Sequence, residues 1–295
     1  MPDVVSSPGR RDFLRALALT PLLSPALAFA NPQPDRVIAL EWRPVELLMA
    51  LGITPLAVAD IPNYRRWVVE PPLPDSVLDV GLRNEPNREL IQRLNPSLLL
   101  LSEGFGPSVG SLRTLAPSWI SRFSDGQHAP LTLLHRDVLA LGDQLGRAPQ
   151  AQQHLEAMEA QFVTLGRTVT GFRQRPLLLF SFLDSRRMMV FGRNSLLADV
   201  LARMGLQSGW QGATNYWGSM IVGIETLAQV RDVHAIGLLQ EDAASTQQVL
   251  NSDLWRSIPF VREGRLHFMP AVWFFGGGFS AQRFARLLSA TLEQA

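Results

Sequence analysis

The amino-acid sequence predicts an α/β fold of two lobes, each with a small, mainly parallel sheet, joined by a single long helix. Three observations predict it. The two halves repeat a strand–helix–glycine unit, and a second repeated unit, a short helix leading into an apolar strand, recurs about half a chain later. The stretch between the halves has helical periodicity and little strand signal. The expected boundaries are a leader at residues 1–30, an N-terminal lobe at 31–143, a connecting helix at 144–173 and a C-terminal lobe at 174–295.

The leader comes first. Gly9-Arg10-Arg11-Asp12-Phe13-Leu14-Arg15 resembles a twin-arginine export signature. The apolar stretch from Ala16 to Phe29, interrupted by Pro21 and Pro25, falls short of the ~20 residues a membrane span needs. Ala28-Phe29-Ala30 offers small residues to a signal peptidase, so cleavage is expected after Ala30. Cleavage removes Arg10, Arg11, Arg15, Asp3 and Asp12, and the remaining chain carries 24 basic and 24 acidic residues. The expected destination is the periplasm.

In the N-terminal half, Arg36 to Leu40 reads as a buried strand, Val45 to Leu51 as a helix terminated by Gly52, and Pro55 to Ala59 as a second strand. In the C-terminal half, Met188 to Phe191, Leu196 to Met204 and Gly205 repeat that grammar. The second pair is the helix from Glu89 with the strand Ser97 to Leu101, against the helix from Glu225 with the strand Val233 to Leu238. Between the halves, Leu131 to Leu145 and Gln150 to Phe172 are helical, the second through Leu155, Met158, Phe162, Leu165 and Val169. A helix of that length runs ~35 Å and can act as a stiff spine.

Composition excludes much chemistry. All 27 basic residues are arginine and there is no cysteine, so Schiff bases, phosphate-loop lysines, disulfides, thiolate nucleophiles and thiolate metal sites are ruled out. A formal charge of +1 without a basic run leaves no electrostatic footprint for nucleic acid. His128, His135, His154, His234 and His267 form no H-x-H or H-E-x-x-H pair, so no metal site is expected. Gly106-Pro107-Ser108-Val109-Gly110 fits the G-x-S-x-G nucleophile pattern, with Asp184 or Asp232 and His234 or His267 downstream in the right order. However, proline before the serine opposes the sharp turn that an elbow requires.

Five of the seven tryptophans, Trp42, Trp67, Trp210, Trp217 and Trp273, fall at strand ends or in loops, where open α/β sheets bind ligands. They suggest an aromatic cleft for a bulky, mostly apolar ligand, because each ring can bury ~150–250 Å².

Several of these segments, Leu40-Glu41-Trp42, Pro71-Pro72-Leu73-Pro74-Asp75, Asp79-Val80-Gly81-Leu82-Arg83, Trp210-Gln211-Gly212, Asn215-Tyr216-Trp217-Gly218-Ser219 and Val272-Trp273-Phe274, resemble the ferric hydroxamate siderophore-binding proteins. These are class III periplasmic binding proteins of ABC iron-siderophore importers. The resemblance implies a monomer that is not an enzyme. It implies ferrichrome-type Fe(III)-hydroxamate ligands and delivery to an inner-membrane ABC permease. It implies no cofactor and no protein metal ligand, since the siderophore itself fills the coordination sphere of the iron.

By the same resemblance Arg83 is the main hydrogen-bond donor and the single buried guanidinium. Trp42, Trp67, Phe105, Trp210, Trp217, Trp273 and Phe275 line the cleft, and Asn215 and Ser219 are polar contacts, directly or through water. Glu225 docks on the permease. Phe105 stands where a well-known member has a ligand-bonding tyrosine, Leu101 where it has a tryptophan, and Gly110 where the N-lobe docking acid would fall. Two other readings remain at this point: a binding protein for another iron chelate or a corrinoid, and a secreted serine esterase using Ser108.

Overall fold

The computed structural model describes residues 34–239 and 243–295. The twin-arginine segment and the cleavage site after Ala30 lie outside the described residues.

The first sheet is entirely parallel. It is built from β1 (Val37–Ala39), β2 (Ala57–Val58), β3 (Leu78–Asp79), β4 (Leu98–Ser102) and β5 (Ser118–Ser121), in the order β3-β2-β1-β4-β5. Ile38 is in register with Ala57 on one side and Leu99 on the other. Helix α1 (Trp42–Ala50) connects β1 to β2, and α2 (Ile61–Trp67), α3 (Arg88–Leu94) and α4 (Val109–Leu112) follow β2, β3 and β4 in turn.

The second sheet contains β6 (Leu177–Phe182), β7 (Arg187–Phe191), β8 (Ser219–Gly223), β9 (His234–Leu239) and β10 (Leu266–Pro270), ordered β10-β9-β6-β7-β8. Its β10, β9 and β6 run parallel, while β7 is antiparallel to both β6 and β8. This corrects the internal repeat in part. The strand read at Met188 to Phe191 is one arm of an antiparallel hairpin and not the counterpart of β1. The central strand is β6, whose six residues are all buried and which the sequence reading passed over.

Two long helices separate the sheets, α5 (Pro130–Gln144) and α6 (Ala148–Thr168), followed by a 3-10 turn at Thr170–Phe172. Gly146 turns the chain between them with φ +66°. At 21 residues α6 is about 32 Å long. The C-terminal half adds α7 (Leu196–Arg203), α8 (Ala243–Leu250), α9 (Asp253–Ser257), α10 (Pro259–Arg262) and α11 (Gly278–Glu293).

Alternation along the buried strands explains how one core serves both lobes. Val37, Ala39, Leu98 and Leu100 face inward and Ile38, Leu40, Leu99 and Leu101 face the outer helices of the first lobe. In β6, Leu177 and Leu179 join the inner cluster while Leu178, Phe180 and Phe182 join an outer one. The inner cluster is continuous through Leu155, Met158 and Phe162 of α6 and Phe284 and Leu288 of α11. The spine is therefore packed on both sides. Among the described residues no helix is long and apolar enough to cross a membrane.

Candidate functional site

The site begins with Glu41, the second residue beyond the buried β1 and the N-cap of α1. Its Oε2 accepts from the backbone N–H of Arg43 at 2.8 Å and from the Ser102 hydroxyl at 3.1 Å. Its Oε1 accepts from Arg83 Nη1 at 2.9 Å. One carboxylate thus joins the ends of β1 and β4 to the loop after β3, and it is only 6% exposed.

Arg83 sits on a short loop that a Gly81–Pro86 bridge closes. Gly81 adopts φ +87° and donates to Asp79 Oδ1 at 2.8 Å, a turn that favours glycine. The guanidinium carbon lies 3.5 Å from the ring centre of Trp42 and 4.5 Å from that of Phe105, within cation–π range of both faces. Asp60 Oδ2 approaches its Nε to 3.7 Å. The Nε–H is nevertheless buried without a hydrogen-bond partner, and so is the indole N–H of Trp273.

These groups line a cavity of about 240 Å³ bounded by Glu41, Arg83, Phe105, Trp217, Trp273 and Phe275. The aromatic walls support one another. Trp273 meets Trp42 at 4.8 Å between centroids, and Phe275 meets both Trp273 at 5.5 Å and Trp217 at 5.1 Å. Of the residues read from the sequence, Arg83, Phe105, Trp217, Trp273 and Phe275 are brought together here. Trp42 is the floor, 1% exposed beneath Arg83.

Four others take different places. Trp67 borders a separate cavity with Arg66, Val69, Leu239, Pro270, Ala271 and Arg283. Trp210 folds over Gly212, where an added Cβ would lie 2.6 Å from the indole, and donates to Ala213 O at 3.4 Å. Asn215 is spent on its own turn, its Oδ1 accepting from Trp217 N at 2.9 Å, Ser219 N at 3.2 Å and Ser219 Oγ at 3.3 Å. Ser219 is 1% exposed. Asn215 and Ser219 therefore position Trp217, through the Asn215 Oδ1 and the Ser219 hydroxyl, and the Asn215 side-chain N–H groups take no part in this turn. Gly218, with φ +72°, completes this turn so close to Ser195 N that an added Cβ would lie 2.3 Å away.

The fully buried guanidinium is Arg43, not Arg83. Arg43 is 1% exposed and donates to Ser121 Oγ at 2.9 Å, Gly276 O at 2.9 Å and Arg122 O at 3.3 Å. Burial pushes its pKa down and that of nearby Asp137 up. One turn along α1, Glu46 accepts from Ser280 N at 2.8 Å and Ser280 Oγ at 2.6 Å. Complete burial pushes Glu46 up to about 7, against the lowering effect of those bonds. Through Arg43 and Glu46, α1 of the first lobe holds the Gly276–Ser280 segment immediately after the Trp273–Phe275 wall.

The nucleophile elbow is not assembled. Ser108 precedes the four-residue α4 and makes no side-chain capping bond. His234 and His267 instead pack on Phe172, with ring centres at 4.9 and 6.3 Å, and Asp184 and Asp232 bind Arg187, and Arg175 and Arg265, respectively. Among the described residues there is no group of three or more side chains able to hold a metal ion. Glu225 is exposed in the first turn of a 3-10 helix, Ile224–Gln229.

Two α/β lobes around a packed spine, with an aromatic cavity where the loops meet, define a periplasmic binding protein, and that family matches residues 37–272. The chain belongs to this family. It is 44% identical over 95% of its length, and 95% of the relative's, to the iron(3+)-hydroxamate-binding protein FhuD of Escherichia coli. The crystal structure of siderophore-binding FhuD from Vibrio cholerae with Fe³⁺-Desferal superposes with a TM-score of 0.80 at 29% identity, covering 88% of this chain and 98% of that one. FhuD2 of Staphylococcus aureus, with ferrioxamine B, shares the fold at 15% identity, with a TM-score of 0.71 and coverage of 88% and 99%.

Proposed function

We propose that this chain binds ferric hydroxamate siderophores of the ferrichrome type in the aromatic cavity and delivers them to an inner-membrane ABC permease. It would do so in the periplasm, as a monomer, after twin-arginine export and cleavage behind Ala30. The kinship with the Escherichia coli and Vibrio cholerae proteins supports the ligand class.

The observation that carries the reading is the set of aromatic walls around one cationic group, the Arg83 guanidinium, which lines the cavity and is oriented by its Nη1 bond to Glu41. A guanidinium has five N–H donors. It suits a ligand that brings acceptor oxygens, and a ferric tris-hydroxamate brings six. Its metal centre has no net charge and a full coordination sphere, so it asks the protein for contact area and donors and for no metal ligand. The Glu41–Arg83 pair matches that neutrality. Glu225 is our candidate for the permease contact of the C-terminal lobe.

Titration with ferrichrome should quench tryptophan fluorescence saturably, because Trp42, Trp217 and Trp273 surround or underlie the cavity. A flat response up to high micromolar ligand would sink the proposal.

A further inference from the structure

We propose that the cavity on the far side of Phe105 is a second subsite, which takes the amide-bearing scaffold of the ligand while the primary cavity takes one face of the metal centre. This rests on the function proposed above.

The volumes motivate it. The primary cavity encloses about 240 Å³, less than the roughly 300–1,000 Å³ typical of sites that bury a drug-sized ligand. A siderophore is larger than its metal centre, because a backbone must join the three hydroxamates. The neighbouring cavity encloses about 560 Å³, and Phe105 lines both spaces, so the two meet at this residue. Together they reach the size of a site for a whole chelate.

The lining indicates what part of the ligand belongs there. Leu101 and Ile120 supply apolar surface, the Gly104–Gly106 segment supplies backbone, and Ser108 supplies a hydroxyl that makes no capping bond. At the rim Arg122 Nε meets Glu103 Oε2 at 2.8 Å, so the charges there neutralise each other. Mixed apolar, amide and hydroxyl surface without net charge fits a peptide-like backbone. Gly104 and Gly106 flank Phe105 with φ +80° and +89°, a backbone conformation that favours glycine.

Ile120 gives a clean test. It lies on β5, is 42% exposed and does not line the primary cavity, and tryptophan is well tolerated in strands. Calorimetry on the wild-type protein and Ile120→Trp would compare two probes. One is ferrichrome, whose cyclic-peptide scaffold should enter the subsite. The other is ferric tris-acetohydroxamate, which has no scaffold and is kept in the tris form by excess acetohydroxamate.

Ile120→Trp should weaken ferrichrome at least tenfold and leave the acetohydroxamate chelate within twofold. Unchanged ferrichrome affinity, or equal weakening of both probes, would overturn the subsite. Should Ile120→Trp fail to fold, Ser108→Trp fills the same space from an exposed position and is read in the same way. A wild-type protein that binds neither probe would overturn the proposed function itself.

Discussion

Arg83 is held by a carboxylate at one edge and by aromatic faces above and below, so its geometry is set before any ligand arrives. A guanidinium has five N–H donors, and the hydrogen bond to Glu41 uses one of them. Arg83→Ala should remove a charge-assisted interaction of about 1.5–3 kcal/mol, which is a loss of roughly 10- to 150-fold in ferrichrome affinity, in a protein that still folds. Unaltered affinity would refute the donor role. Glu41→Gln should weaken binding less, and the Glu41→Gln/Arg83→Ala double variant should bind no worse than Arg83→Ala alone. Such non-additivity is the mark of a residue acting through another. Of these two, only Arg83 was legible in the sequence. Glu41 lies 42 positions away and reads locally as a helix cap, so its second role exists only once β1 and the loop after β3 are neighbours. Asn215 has a local role that the sequence reading omits: its oxygen satisfies backbone N–H groups within four residues, a use that the following Trp217-Gly218 turn signals.

At the scale of elements, the helices and the first sheet were readable because their patterns are strong. Leu155, Met158 and Phe162 fall on one face of α6, and both Gly52 and Gly205 end helices with positive φ. The second sheet was misread because β6 and β7 are both short apolar runs. Periodicity cannot rank them, and the assignment depends on pairing partners half a lobe away. One helix contact was invisible altogether. Gly166 of α6 lies so close to the end of α7 that an added Cβ would sit 2.4 Å from Met204 O. Gly166→Ala must push the two helices apart, and overpacking of this kind costs about 1–3 kcal/mol. We expect a melting temperature several degrees lower by calorimetry, and an unchanged value would mean that the interface yields freely.

For the molecule as a whole, Glu46 adds a pH dependence. Its folded-state pKa is raised from the ordinary carboxylate value of 4.5 to about 7, so between these values the folded state binds the proton and the unfolded state does not. Stability from this group therefore falls as pH rises from 4.5 to 7 and stays reduced above 7, by about 3 kcal/mol in total. Glu46→Gln keeps the shape and removes the titration. The melting-temperature difference, variant minus wild type, should grow by about 5 °C between pH 5 and pH 8, and a difference independent of pH would contradict the shift. At the outer surface, Glu225→Arg should leave ferrichrome binding intact and abolish uptake in cells. Loss of binding instead would place Glu225 in the fold.

The bonds from Arg43 and Glu46 to Gly276 and Ser280 also decide which parts of the cleft travel together. Trp273 and Phe275 come from the C-terminal stretch of chain but are moored to the first lobe, alongside Arg83 and Phe105. Trp217 lies two residues before β8 of the second lobe and meets the first lobe through its ring, 5.1 Å from that of Phe123. Any rocking of the lobes would leave Trp273 and Phe275 with the first lobe and draw Trp217 back from Phe123. The seam through which cargo escapes would thus run between Trp217 and Phe275, and substitutions at Trp217 should alter the dissociation rate more than the association rate.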